Sequence, residues 1–328
     1  MIKATDLTKF YHVSEVKQGR FATLRSFVSG KGRKVPAVSD MSFEIPRGGF
    51  VGYIGPNGAG KSTTIKMLTG ILHPDGGTVE VAGLSPQKQR KEVARKIGVV
   101  FGQRTQLWWD LPTRDSFELL AAMYKVGQQE YDKAMEVYGE LLGLHEFLDT
   151  PVRKLSLGQR MRADLCAALL HDPDVVFLDE PTIGLDVTAK NRIRSFLKDL
   201  NEREQKTILL TTHDMDDIEQ LCKQIIIINH GQKVYDGTLE SLREMYPLPS
   251  VLEVEYHGAV EELLLPNGAQ FDPSRGVARI SFDKRKTKPL ELMERMGQCG
   301  EVRDIRVQTP KIEDVISEMY ERPQVQLV

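Results

Sequence analysis

Residues 48–70 read GGFVGYIGPNGAGKSTTIKMLTG, and the rest of the chain is interpreted outward from this stretch. GGFVGYIG, residues 48–55, is an apolar run of buried-strand length. KSTTIKMLTG, residues 61–70, is expected as a helix closing at Gly70. Between them, Gly55-Pro-Asn-Gly-Ala-Gly60-Lys61-Ser62 matches the phosphate-loop pattern G-x-x-x-x-G-K-[ST]. The chemistry dictates those residue types. Glycines let backbone N–H groups turn inward around phosphates, and the helix N-terminus adds a positive dipole. Lys61 is placed to reach the outer phosphates and Ser62 to ligate Mg²⁺.

The alternation of strand and helix recurs on both sides of a changed middle. HPDGGTVEVAG (73–83) reads as turn and strand, 86–95 as helix and 97–101 as a buried strand. VVFLD (175–179), a helix over 186–200, TILLTT (207–212), a helix over 214–222, QIIIIN (224–229) and a hairpin-like HGQKVYDG (230–237) follow. Such alternation implies a largely parallel α/β sheet. From 103 to 155 the apolar residues instead recur at helical spacing, as with Phe117, Leu120, Ala121 and Tyr124, which marks a helical insertion. YPLPS (246–250) is a boundary signal, and 248–328 reads as a small α+β domain. Its expected strands are VLEVEY, GVARISF and EVRDIRV, and its expected helices are PLELMERMG and IEDVISEMY.

Parallel strands deliver their C-terminal ends to one edge, where ligands bind. VVFLD ends in two adjacent acids, Asp179 and Glu180. Beside a phosphate loop, the first suits Mg²⁺ and the second suits activation of an attacking water. Gln103 and His213 also follow buried strands, so all of these side chains converge on the terminal phosphate. Either residue alone would be unremarkable. LSLGQR (155–160) raises a separate question: Ser156 and Gln159 make a capping box, but Gly158 weakens a helix start by about 1 kcal/mol relative to alanine. A glycine there implies close approach to the backbone.

Bulk properties narrow the classes. The chain has 328 residues, 41% apolar and 27% charged, enough for two cores. A net charge of -2 leaves no overall electrostatic footprint for nucleic acid, so no specific nucleic-acid partner is expected. Cys166, Cys222 and Cys299 lack metal-ligand spacing, and their odd number without a leader implies a reduced, intracellular setting. No run reaches the roughly 18 apolar residues of a membrane span.

Taken in order, GPNGAGKST, the glutamine of VVFGQ, LSLGQ, VVFLDEP, IGLD and TTHD resemble the ATPase subunit of ATP-binding cassette (ABC) transporters. The resemblance covers residues 1 to about 245. It implies an α/β P-loop NTPase core (1–247) with a helical signature subdomain at about 104–160, followed by the small C-terminal α+β domain. It also implies that Gly55, Asn57, Gly58, Gly60, Lys61, Ser62 and Thr63 hold ATP, and that Ser62, Gln103 and Asp179 hold Mg²⁺. Glu180, His213 and Gln103 become the catalytic set, and Asp186 the aspartate of the loop that meets a second subunit. In this family two subunits pack head to tail, so that Ser156, Gly158 and Gln159 of one close on the ATP of the other. The partner is then a second copy or a paralogous cassette. Tyr11 falls where relatives stack an aromatic ring on adenine, although a longer insertion than usual separates it from Pro36.

That insertion, 12–35, carries Lys17, Arg20, Arg25, Lys31, Arg33 and Lys34 against Glu15, with Phe21, Leu24, Phe27 and Val28 at helical spacing. It reads as a solvated basic loop or as a segment that touches an anionic membrane face or a membrane partner. Trp108 and Trp109 are either core of the insertion or anchors for an integral membrane permease subunit, docked along 103–117. FGQRTQLWWDLPTRDSF and the LSLGQ region resemble a bacterial branch that powers separate-subunit exporters of the drug, antibiotic and viologen type. Leu157, where LSGGQ has glycine, is then a mark of that branch and not damage. The implied place is cytoplasmic, peripheral on the inner face of the membrane. A soluble ABC ATPase acting on nucleic acid or ribosomes is the alternative; the single cassette and absent basic excess speak against it.

Overall fold

A computed structural model describes residues 1–14, 32–102 and 104–321. The segment 15–31, which holds most of the basic insertion, and Gln103 lie outside the described residues. The chain divides into two compact units, Met1–Thr238 and Leu239 onward.

In the first unit, strands β3 (Phe50–Ile54), β5 (Ile97–Phe101), β6 (Val175–Asp179), β7 (Thr207–Thr211), β8 (Gln224–Asn229) and β9 (Gln232–Gly237) form a six-stranded sheet in the order β5-β6-β7-β3-β8-β9. All neighbours are parallel except β8 and β9, which form the expected hairpin. The apolar runs are short and unalternating because both sheet faces are covered; every residue of β3 and β7 is buried. A second, antiparallel sheet of order β2-β1-β4 joins β1 (Ile2–Ser14), β2 (Gly32–Ile45) and β4 (Gly76–Val81). Helix α1 (Lys61–Leu68) contributes Ile65, Met67 and Leu68 to a core shared by strands of both sheets. Each such side chain contributes roughly 1.5–3 kcal/mol by leaving water. The phosphate loop is thus anchored at both ends in buried elements, β3 before it and α1 after it.

Helix α2 (Arg90–Ala94) is shorter than the expected 86–95, because Gln89 leaves helical geometry at φ -125° and ψ 46°. The helical insertion contains α3 (Thr113–Tyr124), α4 (Gln128–Leu141) and α5 (Leu157–Leu169). Helix α6 (Val187–Glu204) and helix α7 (Met215–Leu221) follow β6 and β7. The basic insertion grows out of the β1–β2 hairpin, whose last described pair is Ser14 with Gly32.

In the second unit, β10 (Ser250–His257), β11 (Gln270–Asp272), β12 (Val277–Phe282) and β13 (Glu301–Gln308) form an antiparallel sheet of order β11-β12-β10-β13. Strand β10 alternates buried and half-buried residues, so Leu252, Val254 and Tyr256 share one core with Leu292 and Met296 of α9 (Pro289–Gly297). The opposite face carries ion pairs, Arg303–Glu255 at 2.9 Å and Arg279–Glu253 at 2.5 Å. Helix α8 (Leu239–Met245) buries Leu239 and Leu242 and packs on α10 (Ile312–Glu321). The break between units therefore falls at 238/239 and not at the expected 247/248.

Candidate active site

The strand order carries the chemistry to one edge. Phe101, Asp179 and Thr211 end β5, β6 and β7 in mutual register, with β3 next to β7. The chain leaving β3 turns through Gly58 and Gly60, whose φ values of +81° and +104° are open to glycine and strained for other residues. At Gly60 a Cβ would also lie 2.5 Å from the Ala37 carbonyl oxygen. Lys61 is 7% exposed and its Nζ donates to Gly55 O at 2.6 Å and Pro56 O at 3.2 Å. The ammonium is folded over its own loop, and burial lowers its pKa against the opposing pull of Glu180 and Asp179. Thr63 lies on α1, half-buried.

Ser62 Oγ donates to Asp179 Oδ2 at 3.3 Å, and Thr211 Oγ1 donates to Asp179 Oδ1 at 2.5 Å. Hydroxyl and carboxylate therefore face each other beside the phosphate loop, a pair of hard oxygen donors that suits Mg²⁺. Among the described residues no group of three or more His, Cys, Asp or Glu could hold a metal. Mg²⁺ needs few protein ligands, since it keeps waters and relies on phosphate oxygens.

Glu180 sits at φ +56°, a strained conformation held by its N–H donating to Thr211 O at 2.9 Å. His213 Nε2 lies 3.0 Å from Glu180 Oε1, with the histidine 43% exposed. These groups open on one cleft of about 610 Å³, lined by Asn57, Ser62, Asp179, Glu180 and His213, with Phe101, Ile71 and Ile183 as apolar wall. Lys66, Gly102 and Arg104 also line it. Sequence reasoning missed these three and Thr211; only adjacency to Gln103 pointed towards Gly102 and Arg104.

The LSLGQ residues are not among those lining the cleft. They open α5 with a complete capping box: Gln159 N–H donates to Ser156 Oγ at 3.2 Å, and Ser156 N–H to Gln159 Oε1 at 2.9 Å. Leu157 is helical and has no positive φ, so its N–H is kept in ordinary geometry. A Cβ on Gly158 would meet Ala189 Cβ at 3.4 Å, ordinary contact, so nothing among the described residues demands glycine there. Asp186 Oδ1 accepts from Ala189 N at 2.8 Å and caps α6. Tyr11 is 43% exposed in β1, in register with Val35, and is not among the cleft-lining residues.

Asp164, on α5, ties that helix to the segment after Gln103. Its Oδ1 accepts from Thr105 Oγ1 at 2.8 Å and Gln106 N at 3.1 Å, and burial pushes its carboxyl up to about 6. Trp108 and Trp109 are 38% and 50% exposed, so neither is core; the Arg160 guanidinium lies 5.5 Å from the Trp109 ring centroid.

A protein-family model described as ABC transporter matches residues 38–183. The chain is 38% identical over 214 residues to the "ABC transporter ATP-binding protein NatA" of Bacillus subtilis (strain 168), covering 65% of this chain and 87% of that protein. It is 36% identical over 217 residues to the "Nod factor export ATP-binding protein I" of Burkholderia lata, covering 66% and 71%. Its identity to the "Linearmycin resistance ATP-binding protein LnrL" of Bacillus subtilis (strain 168) is 33% over 232 residues, covering 71% and 74%. Among solved structures, a dimeric post-hydrolysis state of the ATP-binding cassette MJ0796 bound to ADP and Pi aligns with a TM-score of 0.60 and 27% identity. That alignment covers 73% of this chain and 98% of MJ0796.

Proposed function

Because the chain belongs to the ABC transporter family, as an ATP-binding and ATP-hydrolysing subunit, we propose that it works as a head-to-tail pair powering export through separate membrane subunits. One observation carries this reading. The cleft of the phosphate loop holds Ser62, Asp179, Glu180 and His213 together, while Ser156 and Gly158 are not among its lining residues. A second copy, or a paralogous cassette, supplies that signature surface. The dimer of MJ0796 supports the pairing, and the names of the export and resistance relatives support the direction.

The residues divide the work. Backbone N–H groups of 58–63 and Lys61 receive the phosphates, and Lys61 exchanges its contacts with Gly55 O and Pro56 O for phosphate oxygens. Ser62 and Asp179 would hold Mg²⁺, which supplies charge neutralisation at the outer phosphates. Glu180 takes the proton of the attacking water, and His213, held against it, orients the terminal phosphate. Gln103 joins this group in the reading, as does Tyr11 at the adenine.

Among the described residues no helix is long and apolar enough to cross a membrane. In this reading the chain meets the cytoplasmic face of the membrane through partners, for which exposed Trp108 and Trp109 provide anchors. Purification of the tagged chain from membranes tests the reading. Recovery with integral membrane proteins is expected; recovery with ribosomes or DNA alone favours the soluble alternative and overturns it. Glu180→Gln is expected to lower ATP turnover by about 10²–10⁴ with ATP binding retained.

A further inference from the structure

Beneath the Glu180–His213 contact lies a polar cluster that the site itself does not use. Asp217, in the first turn of α7, is fully buried. Its Oδ2 accepts from two threonine hydroxyls, Thr182 Oγ1 at 2.5 Å and Thr212 Oγ1 at 3.1 Å. Its Oδ1 accepts from Arg194 Nε at 2.5 Å, and Arg194, on α6, is 9% exposed. Thr182 follows Glu180 by two residues, and Thr212 immediately precedes His213. One carboxylate thus fastens the backbone leaving the base to the backbone delivering the histidine.

A buried carboxylate persists only when its charge is matched and its lone pairs are occupied. Arg194 supplies the charge and the two hydroxyls supply the rest. A buried pair of this kind adds little to stability over well-packed apolar residues. Its value lies in holding two loops at one spacing. Arg194 reinforces the link, because its Nη2 also donates to Asp214 Oδ1 at 3.2 Å, on the far side of His213. The histidine loop is therefore gripped before and after the histidine.

We propose that Asp217 is a positioning residue for hydrolysis: through Thr182 and Thr212 it sets the separation of Glu180 and His213 and makes the 182–186 and 212–214 loops move as one body. The inference rests on the hydrolysis reading above and goes beyond it, since Asp217 is fully buried and is not among the residues lining the cleft.

The test uses the full chain carrying Thr182→Val and Thr212→Val together, which keeps the Asp217–Arg194 pair, with Asp217→Asn in parallel. Turnover number, KM for ATP, affinity for a non-hydrolysable ATP analogue and the ring ¹H–¹⁵N signals of His213 are measured, the signals being assigned with His213→Gln. The double variant is expected to lose at least about tenfold in kcat, as sub-ångström misplacement does, with analogue affinity within about twofold and the His213 signals displaced. Asp216→Ala, an exposed neighbour, is expected to leave all readouts in place. Unchanged kcat with unchanged His213 signals overturns the proposal, and so does a parallel loss of analogue affinity, which marks general destabilisation. Absence of turnover in the unaltered chain would count against hydrolysis itself; the His213 signals then decide the link, displaced in its favour and undisturbed against it.

Discussion

Gly102 stands where a side chain would collide. Its N–H donates to Asp179 O at 2.7 Å, and a Cβ there would press into the Glu180 carbonyl oxygen. That neighbour is backbone, so Gly102→Ala must shift the end of β6 that carries both acids. A fall of at least about tenfold in kcat is expected, with the circular dichroism spectrum unchanged. Asp164 supports a prediction of a different kind. Burial raises its carboxyl to about 6, above the ordinary value of roughly 4, so the folded chain binds a proton more readily than the unfolded chain. Stability from this group is therefore greatest at low pH and is lost as pH rises from about 4 through 6, a difference of about 3 kcal/mol. Asp164→Asn keeps an acceptor for Thr105 and Gln106 without the charge. Urea midpoints should show it more stable than the unaltered chain above pH 6, with the gain vanishing towards pH 4. A gain independent of pH would contradict this.

At the scale of elements, the stretch that opens α5 caps the helix and, in the proposed pairing, also meets the ATP of the partner. The capping box satisfies two backbone donors, and Ser156→Ala is expected to cost about 1 kcal/mol, read as faster hydrogen exchange in the first turn of α5. Leu157→Gly costs a similar amount in helix propensity and should leave ATPase activity within a few-fold, because Leu157 already has helical geometry. A large gain in activity from that glycine would show the leucine to be damage. The contrast between what could and could not be read from sequence is clearest at this scale. The phosphate loop, Asp179–Glu180 and LSLGQ are contiguous, so their chemistry is written in neighbouring residues. Asp217 and Thr182 are 35 positions apart, Asp164 and Thr105 59 apart, and their pairing exists only once the strands order themselves. Strand β1 escaped notice for a related reason. Half-buried Lys9 pairs with Asp75 at 3.0 Å, and bulges break the alternation that marks a strand.

At the scale of the whole molecule, the proposed pairing makes the first unit one half of a catalytic site. Its cleft carries the base, the histidine and the Ser62–Asp179 pair, whereas its signature residues are not among the cleft's lining. The sheet of the second unit and its helix α9 form a core of their own. The measurement that tests the division most directly is the mass in solution of Glu180→Gln with Mg²⁺ and ATP, by light scattering. Uncleaved ATP should drive it from one copy to two, and adding Ser156→Arg should return it to one copy while ATP binding persists. A single-copy mass with ATP bound, or a pair that forms equally well with Ser156→Arg, would contradict the account.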